Sequence, residues 1–267
     1  MATLELKQVN KMFTSVHGAV NHVLKDISFS AHEGEFFSIV GPSGCGKSTL
    51  LRLISGLIPV TTGEIALDGT LVKGTDPNRG MVFQNATLFP WLTVYENINF
   101  PLRLKKEKNA AKVKRLIQMI GLKQYANYYP AQLSGGMAQR VSLARTMINE
   151  PEVFLLDEPL GALDAFTRMA MQEELLEMWQ TNNHLMMMVT HDVDEAIYMS
   201  SKVIIMDAHP GRIKEVLPIE MPYPRQRTSE DFFKYRSYIM DQLDFDQHAG
   251  EDTTVAVEKG QKDEGNL

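Results

Sequence analysis

The chain has 267 residues, of which 44% are hydrophobic and 22% charged, and its net charge is -6. This size predicts one globular unit with a full hydrophobic core. An acidic chain lacks the basic stripe that marks nucleic-acid-binding proteins, so we expect no nucleic-acid partner. The longest apolar stretches, such as residues 153–156 and 185–189, are far shorter than the roughly 18 residues that span a bilayer.

The N-terminal sequence and the cysteine content indicate the compartment of the protein, and the C-terminal residues indicate where its folded domain ends. The N-terminal sequence MATLELKQVN has no apolar signal-peptide core, and Cys45 is the only cysteine, which excludes an internal disulfide. These features predict a soluble, cytosolic protein. Residues 231–243 predict a terminal helix. Residues 246–267 hold six acids and two lysines without an apolar period, which predicts a disordered acidic tail after a folded domain of residues 1–245.

Strand and helix patterns alternate along the chain. Short apolar runs predict strands of a parallel sheet covered on both faces at residues 36–40, 81–84, 153–156, 185–189 and 203–206. The segments ELKQVNKMF and GEIALDGTLV predict antiparallel strands, the second folded as a hairpin at Asp68 and Gly69. Between about residues 86 and 148, two amphipathic patterns predict an inserted helical subdomain. The predicted fold is therefore an α/β core with a parallel sheet, an antiparallel β subdomain and a helical insertion.

The segment GPSGCGKS follows an apolar strand and precedes a helical pattern, as a phosphate-binding P-loop does. Glycines let the backbone amides turn toward a β-phosphate, Lys47 would bridge the β and γ oxygens, and Ser48 would ligate Mg²⁺. The candidate nucleotide-binding residues here are Gly41, Pro42, Ser43, Gly44, Cys45, Gly46, Lys47, Ser48 and Thr49. We therefore expect ATP and Mg²⁺ as cofactors.

Hydrolysis of a nucleotide requires acidic and polar partners at the same edge of the sheet. The strand VFLLDEP delivers Asp157 to the Mg²⁺ shell and Glu158 to the attacking water. His191 follows the strand LMMMV, and Gln84 ends the strand MVFQ. Because the carboxyl ends of parallel strands meet at one edge, these four strand ends should converge on one nucleotide.

A second phosphate-binding element is predicted in LSGGMAQR, where Ser134, Gly135 and Gly136 open a helix. The set of motifs, in this order, resembles the ATPase subunits of ATP-binding cassette transporters over about residues 4–224. The quoted motifs are the P-loop GPSGCGKS, the glutamine in MVFQNATLFP, the signature LSGGMAQR, the acidic pair in VFLLDEP, the D-loop LGALD and the histidine in VTHD. The resemblance implies a P-loop ATPase fold.

The resemblance also implies roles for single residues. Phe13 would stack on adenine, Gln84 would contact Mg²⁺ and the attacking water, and His191 would contact the γ-phosphate. Asp164 would lie in the D-loop across a dimer interface, although Gly161 stands there where serine is more common in the family. Each nucleotide would lie between the P-loop of one subunit and the signature of a second, identical or related subunit.

Within the family, LFPWLTVYENINFPL and AHPGRIKEVLPIEMPYPR resemble importer subunits for nitrate, sulfonate and taurine. Such a subunit would lie peripherally on the cytoplasmic face of the membrane, bind a permease, and depend indirectly on an extracytoplasmic solute-binding protein. Chromosome-maintenance relatives carry a very long coiled coil between the P-loop and the signature, and the short distance from residue 41 to residue 134 excludes them. Translation relatives fuse two cassettes in one chain, and the single P-loop excludes those. A cassette for division or lipoprotein release, or a nucleotide-gated regulator, stays open as an alternative.

An aromatic group, Phe89, Trp91 and Tyr95, follows the Q-loop and is predicted to be exposed. We interpret it as the surface that receives a short coupling helix of the permease. The competing interpretation is that these rings belong to the core of the helical subdomain.

Overall fold

The computed structural model describes residues 2–16 and 18–249, with side chains described only as far as residue 243. The strands are β1 (Thr3–Thr14), β2 (Val20–His32), β3 (Phe36–Val40), β4 (Thr62–Leu67), β5 (Thr70–Leu71), β6 (Arg79–Val82), β7 (Val153–Asp157), β8 (Leu185–Val189), β9 (Lys202–Asp207) and β10 (Arg212–Pro218). The helices are α1 (Lys47–Ile54), α2 (Val94–Leu104), α3 (Ala110–Met119), α4 (Gly135–Met147), α5 (Ala165–Asn182), α6 (Val193–Met199) and α7 (Glu230–Ala249).

The larger sheet has the strand order β10-β9-β3-β8-β7-β6. Its strands are parallel except for β10, which pairs antiparallel with β9 at the edge. Every residue of β3, β7 and β8 is buried, as expected for strands covered on both faces. The predicted α/β class with a parallel sheet is therefore confirmed, and β3 lies near its centre with its carboxyl end at the P-loop.

The smaller sheet is antiparallel, with the order β2-β1-β4-β5. Asp68 and Gly69 join β4 to β5 with φ angles of 49° and 72°, so both central residues of the turn have the positive φ of a tight hairpin. The long strand β2 was not among the predicted strands. It pairs with β1 from Thr3 opposite His32 to Thr14 opposite Val20.

The helices α2, α3 and α4 lie within residues 86–148, where the helical insertion was predicted. Each begins at a side-chain cap: Thr93 and Glu96 form a reciprocal capping box at α2, Asn109 caps α3, and Ser134 caps α4. Their apolar faces meet in one core, which includes Val113, Leu116, Ile117, Val141 and Ala144. This packing fixes the position of Ser134 relative to the Q-loop.

The last helix, α7, packs on α6 and β9 through buried Phe232 and Ile239. It runs to Ala249, four residues into the segment 246–267 for which a disordered tail was predicted, and that tail stays a prediction. The rest of the predicted tail lies outside the described residues. Among the helices that the structure describes, none combines the length and apolar character needed to cross a membrane.

Candidate functional site

The P-loop connects β3 to α1 and is shaped by close backbone approaches. A Cβ at Gly41 would lie 2.7 Å from the carbonyl oxygen of Met206, so only glycine fits there. Gly46 caps α1 with a φ of 97°, a conformation that favours glycine. Lys47 Nζ donates to the carbonyl oxygens of Gly41 and Pro42, at 2.8 and 2.9 Å. The loop is therefore already formed around its own lysine.

The other P-loop side chains differ in exposure. Ser43 and Gly44 are exposed, Thr49 is half-buried, and Cys45 is buried with its Sγ 3.8 Å from Lys47 Nζ. Burial raises the pKa of the Cys45 thiol, although the charge of Lys47 opposes the shift. Cys45 therefore packs as a neutral thiol beneath the loop.

Ser48 and Asp157 form the most direct link between two predicted motifs. Ser48 Oγ donates to Asp157 Oδ1 at 2.7 Å, which joins α1 to the end of β7. Asp157 is 2% exposed, and this burial raises its pKa, while the Ser48 hydrogen bond and the charge of Arg52 oppose the shift. A hydroxyl and a carboxylate side by side are oxygen donors of the kind that Mg²⁺ prefers.

Glu158 lies where the segments that follow β6, β7 and β8 meet. Gln84 Nε2 donates to Glu158 Oε2 at 2.8 Å, and His191 Nδ1 lies 3.5 Å from the same oxygen. The Glu158 amide donates to the carbonyl of Val189 at 3.0 Å, which ties the end of β7 to the end of β8. The structure thus brings Gln84, Glu158 and His191 together. Strand β6 ends at Val82, so the prediction that Gln84 closes this strand is wrong, and the side chain extends from the following loop.

The backbone of Glu158 has an unusual conformation, with a φ of 47°. This left-handed region is sparsely populated by residues other than glycine, asparagine and aspartate. The turn re-aims the chain immediately after the buried Asp157. As a result, two consecutive carboxylates reach different partners, Ser48 for one and Gln84 with His191 for the other.

The signature segment faces a different neighbour. Ser134 Oγ accepts a hydrogen bond from the Met137 amide at 3.2 Å, and both Ser134 and Gly135 are exposed. A Cβ at Gly136 would lie 3.1 Å from Leu163 Cδ2, so α4 begins close against the D-loop. Within residues 2–16 and 18–249, no hydrogen bond joins residues 134–136 to the P-loop of the same chain.

Two further predicted residues lie at the margins of the site. Asp164 caps α5 by accepting from the Thr167 amide at 3.0 Å, and the hydrogen bonds to Thr167 lower the pKa of its carboxyl. Phe13 is 43% exposed on β1, with Lys11 Nζ 4.8 Å from its ring centroid. The exposed ring can accept a planar partner, and its pairing with adenine stays a prediction.

Sequence reasoning missed two buried amides that hold the site together. Gln139 lies in the signature helix and donates to the carbonyl of Phe83 at 2.9 Å, beside Gln84. Asn97 accepts from the Phe89 amide and donates to the carbonyls of Phe89, Leu92 and Thr93. Both are fully or almost fully buried polar residues on helices, and a single sequence gives no signal that separates them from surface amides.

Of the aromatic group after the Q-loop, Phe89 lines a cavity of about 370 Å³, whereas Tyr95 lines a separate one on α2. The Phe89 ring lies 4.5 Å from Phe100 and 5.7 Å from Trp91 between centroids, and the Arg145 guanidinium lies 5.4 Å from it. Trp91 is 69% exposed, as predicted. Phe89 and Tyr95 are half-buried, so the prediction of full exposure is wrong for these two rings, because both pack on the helical subdomain.

Comparison with known proteins agrees with this geometry. Residues 24–161 match the family described as ABC transporter. The aliphatic sulfonates import ATP-binding protein SsuB of Bacillus cereus is 45% identical over 243 residues, which cover 91% of this chain and 96% of that protein. The taurine import ATP-binding protein TauB of Pelagibacter ubique is 45% identical over 216 residues, 80% and 82% of the two chains.

A solved structure shares the fold as well. The dimeric structure of the ATP-binding cassette MJ0796, in a post-hydrolysis state bound to ADP and Pi, superposes with a TM-score of 0.75 at 31% identity. The alignment covers 82% of this chain and 100% of that chain. With its motifs, its site and its relatives in agreement, the chain belongs to the ABC transporter family and is an ATP-binding ATPase of that family.

Proposed function

We propose that this ATPase drives the import of a small anion, of the sulfonate, taurine or nitrate kind, through a membrane permease. The observation that carries the catalytic part is the convergence of Gln84 and His191 on one oxygen of Glu158, beside the Ser48–Asp157 pair. The names of the relatives, sulfonate import and taurine import, support the class of solute.

Binding of the nucleotide is assigned to the P-loop and its neighbours. Lys47 leaves the carbonyls of Gly41 and Pro42 to contact the β- and γ-phosphates, and the exposed Phe13 stacks on the adenine. Ser48, Asp157 and Gln84 would hold Mg²⁺, for which their oxygen atoms are suitable ligands. The metal, when bound, neutralises charge that develops on the phosphate oxygens.

Glu158 is assigned as the group that accepts a proton from the attacking water. Gln84 donates to its carboxylate and orients it, while His191, whose side chain is 70% exposed, can turn toward the γ-phosphate. The buried Asp157 one residue earlier keeps to Ser48, so the two carboxylates do not compete for one partner. This division gives one carboxylate to the metal and one to the water.

The signature is assigned to the nucleotide of a second subunit, identical or related. Ser134 and Gly135 are exposed and Gly136 is half-buried at the start of α4, where the helix dipole favours a phosphate. Near the D-loop, Phe166 is 87% exposed and Met169 is 51% exposed, which provides apolar surface for an interface. The dimeric assembly of the MJ0796 cassette supports this arrangement.

The permease contact is assigned to the cavity beside Phe89 and Trp91. Its wall combines stacked rings with Arg145, whose pKa is lowered by burial, and a short amphipathic helix fits such a groove. Asn97 and Gln139 tie this wall to the Q-loop, so movement of a helix in the groove would reach Gln84. The subunit would then lie on the cytoplasmic face of the membrane, and a solute-binding protein outside would deliver the cargo to the permease.

Uptake of a labelled sulfonate tests the proposed function. Cells that express this chain together with a permease and solute-binding protein of the sulfonate or taurine kind should accumulate the solute, and Lys47→Ala should remove the uptake and reduce ATP hydrolysis by at least about 10²-fold. Lys73→Ala, which changes an exposed lysine in the loop after β5, is the matched control. Hydrolysis without uptake of sulfonate, taurine or nitrate would reject the import role and leave the ATPase assignment intact.

Crosslinking tests the permease contact separately. Cys45 is buried, so Trp91→Cys places the accessible thiol of the chain at the groove. We expect a crosslink from this position to the permease. Leu71→Cys, at a comparably exposed site on β5, serves as control and should give none. Equal crosslinking from both positions would contradict a specific contact at Trp91.

A further inference from the structure

One segment of this acidic chain is strongly basic. Residues 103–123 contain eight lysines and arginines and a single acid, Glu107, whereas the whole chain has 27 basic and 33 acidic residues. The segment covers the end of α2, the connecting loop and α3. Of its lysines, Lys112 pairs with Glu150 at 2.9 Å, but Lys105, Lys106 and Lys108 form no salt bridge with any side chain in residues 2–16 and 18–243. The positive charges of residues 105–108, in the loop between α2 and α3, are therefore not neutralised by salt bridges within the described side chains.

Residues 103–108, which comprise the end of α2 and the start of the following loop, also line a cavity and include an exposed leucine. Arg103, Lys106 and Lys108 line a cavity of about 530 Å³, together with Tyr95 and Asn99 of α2 and a single acid, Glu107. Leu104 stands between Arg103 and Lys105 in the sequence and is 70% exposed. An exposed apolar side chain flanked by cations matches a surface that contacts acyl chains and anionic headgroups together.

The basic cavity and the proposed permease groove beside Phe89 are lined by different residues of α2. Tyr95, Asn99 and Arg103 are spaced four residues apart and form one stripe of α2. Phe100 and Pro101, which line the groove beside Phe89, lie on another face of the same helix. One helix thus separates the proposed permease groove from the basic cavity, and a permease seated in the groove brings the cavity close to the membrane.

We propose that the loop of residues 103–108 binds the anionic phospholipid headgroups of the membrane. Arg103, Lys106 and Lys108 contact a headgroup phosphate in the cavity, and Leu104 enters the headgroup region. This contact goes beyond ATP hydrolysis and adds a lipid-dependent attachment beside the permease. Its location next to the groove rests on the proposed function, whereas lipid binding by the isolated chain does not.

Vesicle binding of the full chain tests the proposal. Cosedimentation should occur with vesicles of phosphatidylcholine mixed with phosphatidylglycerol and not with phosphatidylcholine alone. Binding should fall as salt is raised, because screening weakens charge attraction beyond the Debye length. Lys106→Glu with Lys108→Glu, which reverses two cations of the cavity, should lower the binding by at least about tenfold, given the strength of attraction per cation near an anionic surface.

The matched control reverses the same number of charges elsewhere. Lys7→Glu with Lys73→Glu changes two exposed lysines, one on β1 and one in the loop after β5, and should retain binding. An equal loss in both double variants would show that only net charge matters and would overturn the proposal. Thermal unfolding checks the fold of each variant, and if the glutamates unfold the chain, Lys106→Gln with Lys108→Gln replaces them and should show the same selective loss.

Leu104→Ser separates lipid from other anions. It leaves the charge unchanged and should lower vesicle binding a few-fold, whereas Leu71→Ser, at another exposed leucine, should not. Complete displacement of the protein from vesicles by glycerol phosphate, or equal binding to a short DNA duplex, would overturn the choice of lipid. The uptake assay is read independently, so vesicle binding without uptake rejects only the proposed function, and uptake without vesicle binding rejects only this contact.

Discussion

The two predicted phosphate-binding elements differ in how their polar groups are satisfied. In the P-loop, Lys47 donates to two carbonyls of its own loop and Ser48 donates to Asp157. At the signature, Ser134 caps its own helix, and Gly135 is exposed, with no atom beyond its chain neighbours and its own helix backbone within 4 Å of where its Cβ would be. The polar side chains of the P-loop are therefore paired within the chain, whereas the start of α4 is open. An open helix start is what the proposed half-site, completed by a second subunit, requires.

The largest effect is expected from a change on the P-loop side that removes ATP hydrolysis and leaves ATP binding intact. Glu158→Gln should reduce ATP hydrolysis by roughly 10²- to 10⁴-fold, because glutamine cannot accept the proton, although it can still accept a hydrogen bond from Gln84. ATP should then hold the subunits together, which size-exclusion chromatography with ATP would show as a persistent dimer.

Glu152→Gln is the matched control for this change, because Glu152 is exposed and precedes β7 by one residue. It should hydrolyse ATP at the normal rate. Near-normal turnover of the Glu158 variant would remove this residue from the base role, and a variant that neither turns over nor dimerises would point to lost nucleotide binding instead.

A smaller effect sharpens the signature side of the comparison. Gly135→Ala adds a Cβ that meets nothing within the chain, at the first residue of α4, where alanine is a better helix former. The free energy of unfolding should stay level or rise by roughly 0.5 kcal/mol. Hydrolysis should nevertheless fall by about tenfold or more, because the methyl group blocks the close approach of a phosphate from the second subunit.

Gly74→Ala provides the control, since a Cβ there also meets nothing within 4 Å and lies on a loop away from the signature. Its hydrolysis rate should be unchanged. If Gly135→Ala also keeps full activity at saturating ATP, the amides of the signature do not approach a phosphate, and the half-site interpretation of Ser134 and its glycines fails.

The same contrast explains what the sequence predicted and what it did not. Strand ends carrying Asp157, Glu158 and His191 were predictable, because continuous apolar runs indicate buried parallel strands and their carboxyl ends share an edge. Strand β2 was missed because its buried residues, Leu24, Ile27 and Ala31, are spaced three and four apart instead of two, and its pairing with β1 is interrupted by register shifts. Gln139 and Asn97 were missed because their role is to donate hydrogen bonds to backbone carbonyls. Only tertiary packing places those carbonyls beside them.

The smallest expected effect concerns the buried carboxylate of Asp157. Burial raises the pKa of Asp157, so the folded chain favours the protonated acid, and stability is lost as pH rises above the ordinary value of 3.8 through the raised pKa. Asp157→Asn removes this cost and can still accept the hydrogen bond from Ser48. Without nucleotide or metal, the variant should therefore unfold at a slightly higher temperature than the parent chain at neutral pH.

This advantage should shrink as the pH is lowered toward 3.8, where the parent carboxyl is protonated too, and thermal melts across that range would measure it. Asp164→Asn is the natural contrast, because hydrogen bonds from Thr167 lower the pKa of Asp164, and its charge stabilises the fold as pH rises. That variant should be less stable than the parent at neutral pH. Equal unfolding temperatures for Asp157→Asn and the parent at every pH would contradict this prediction. They would show that burial imposes no desolvation cost on the Asp157 carboxylate.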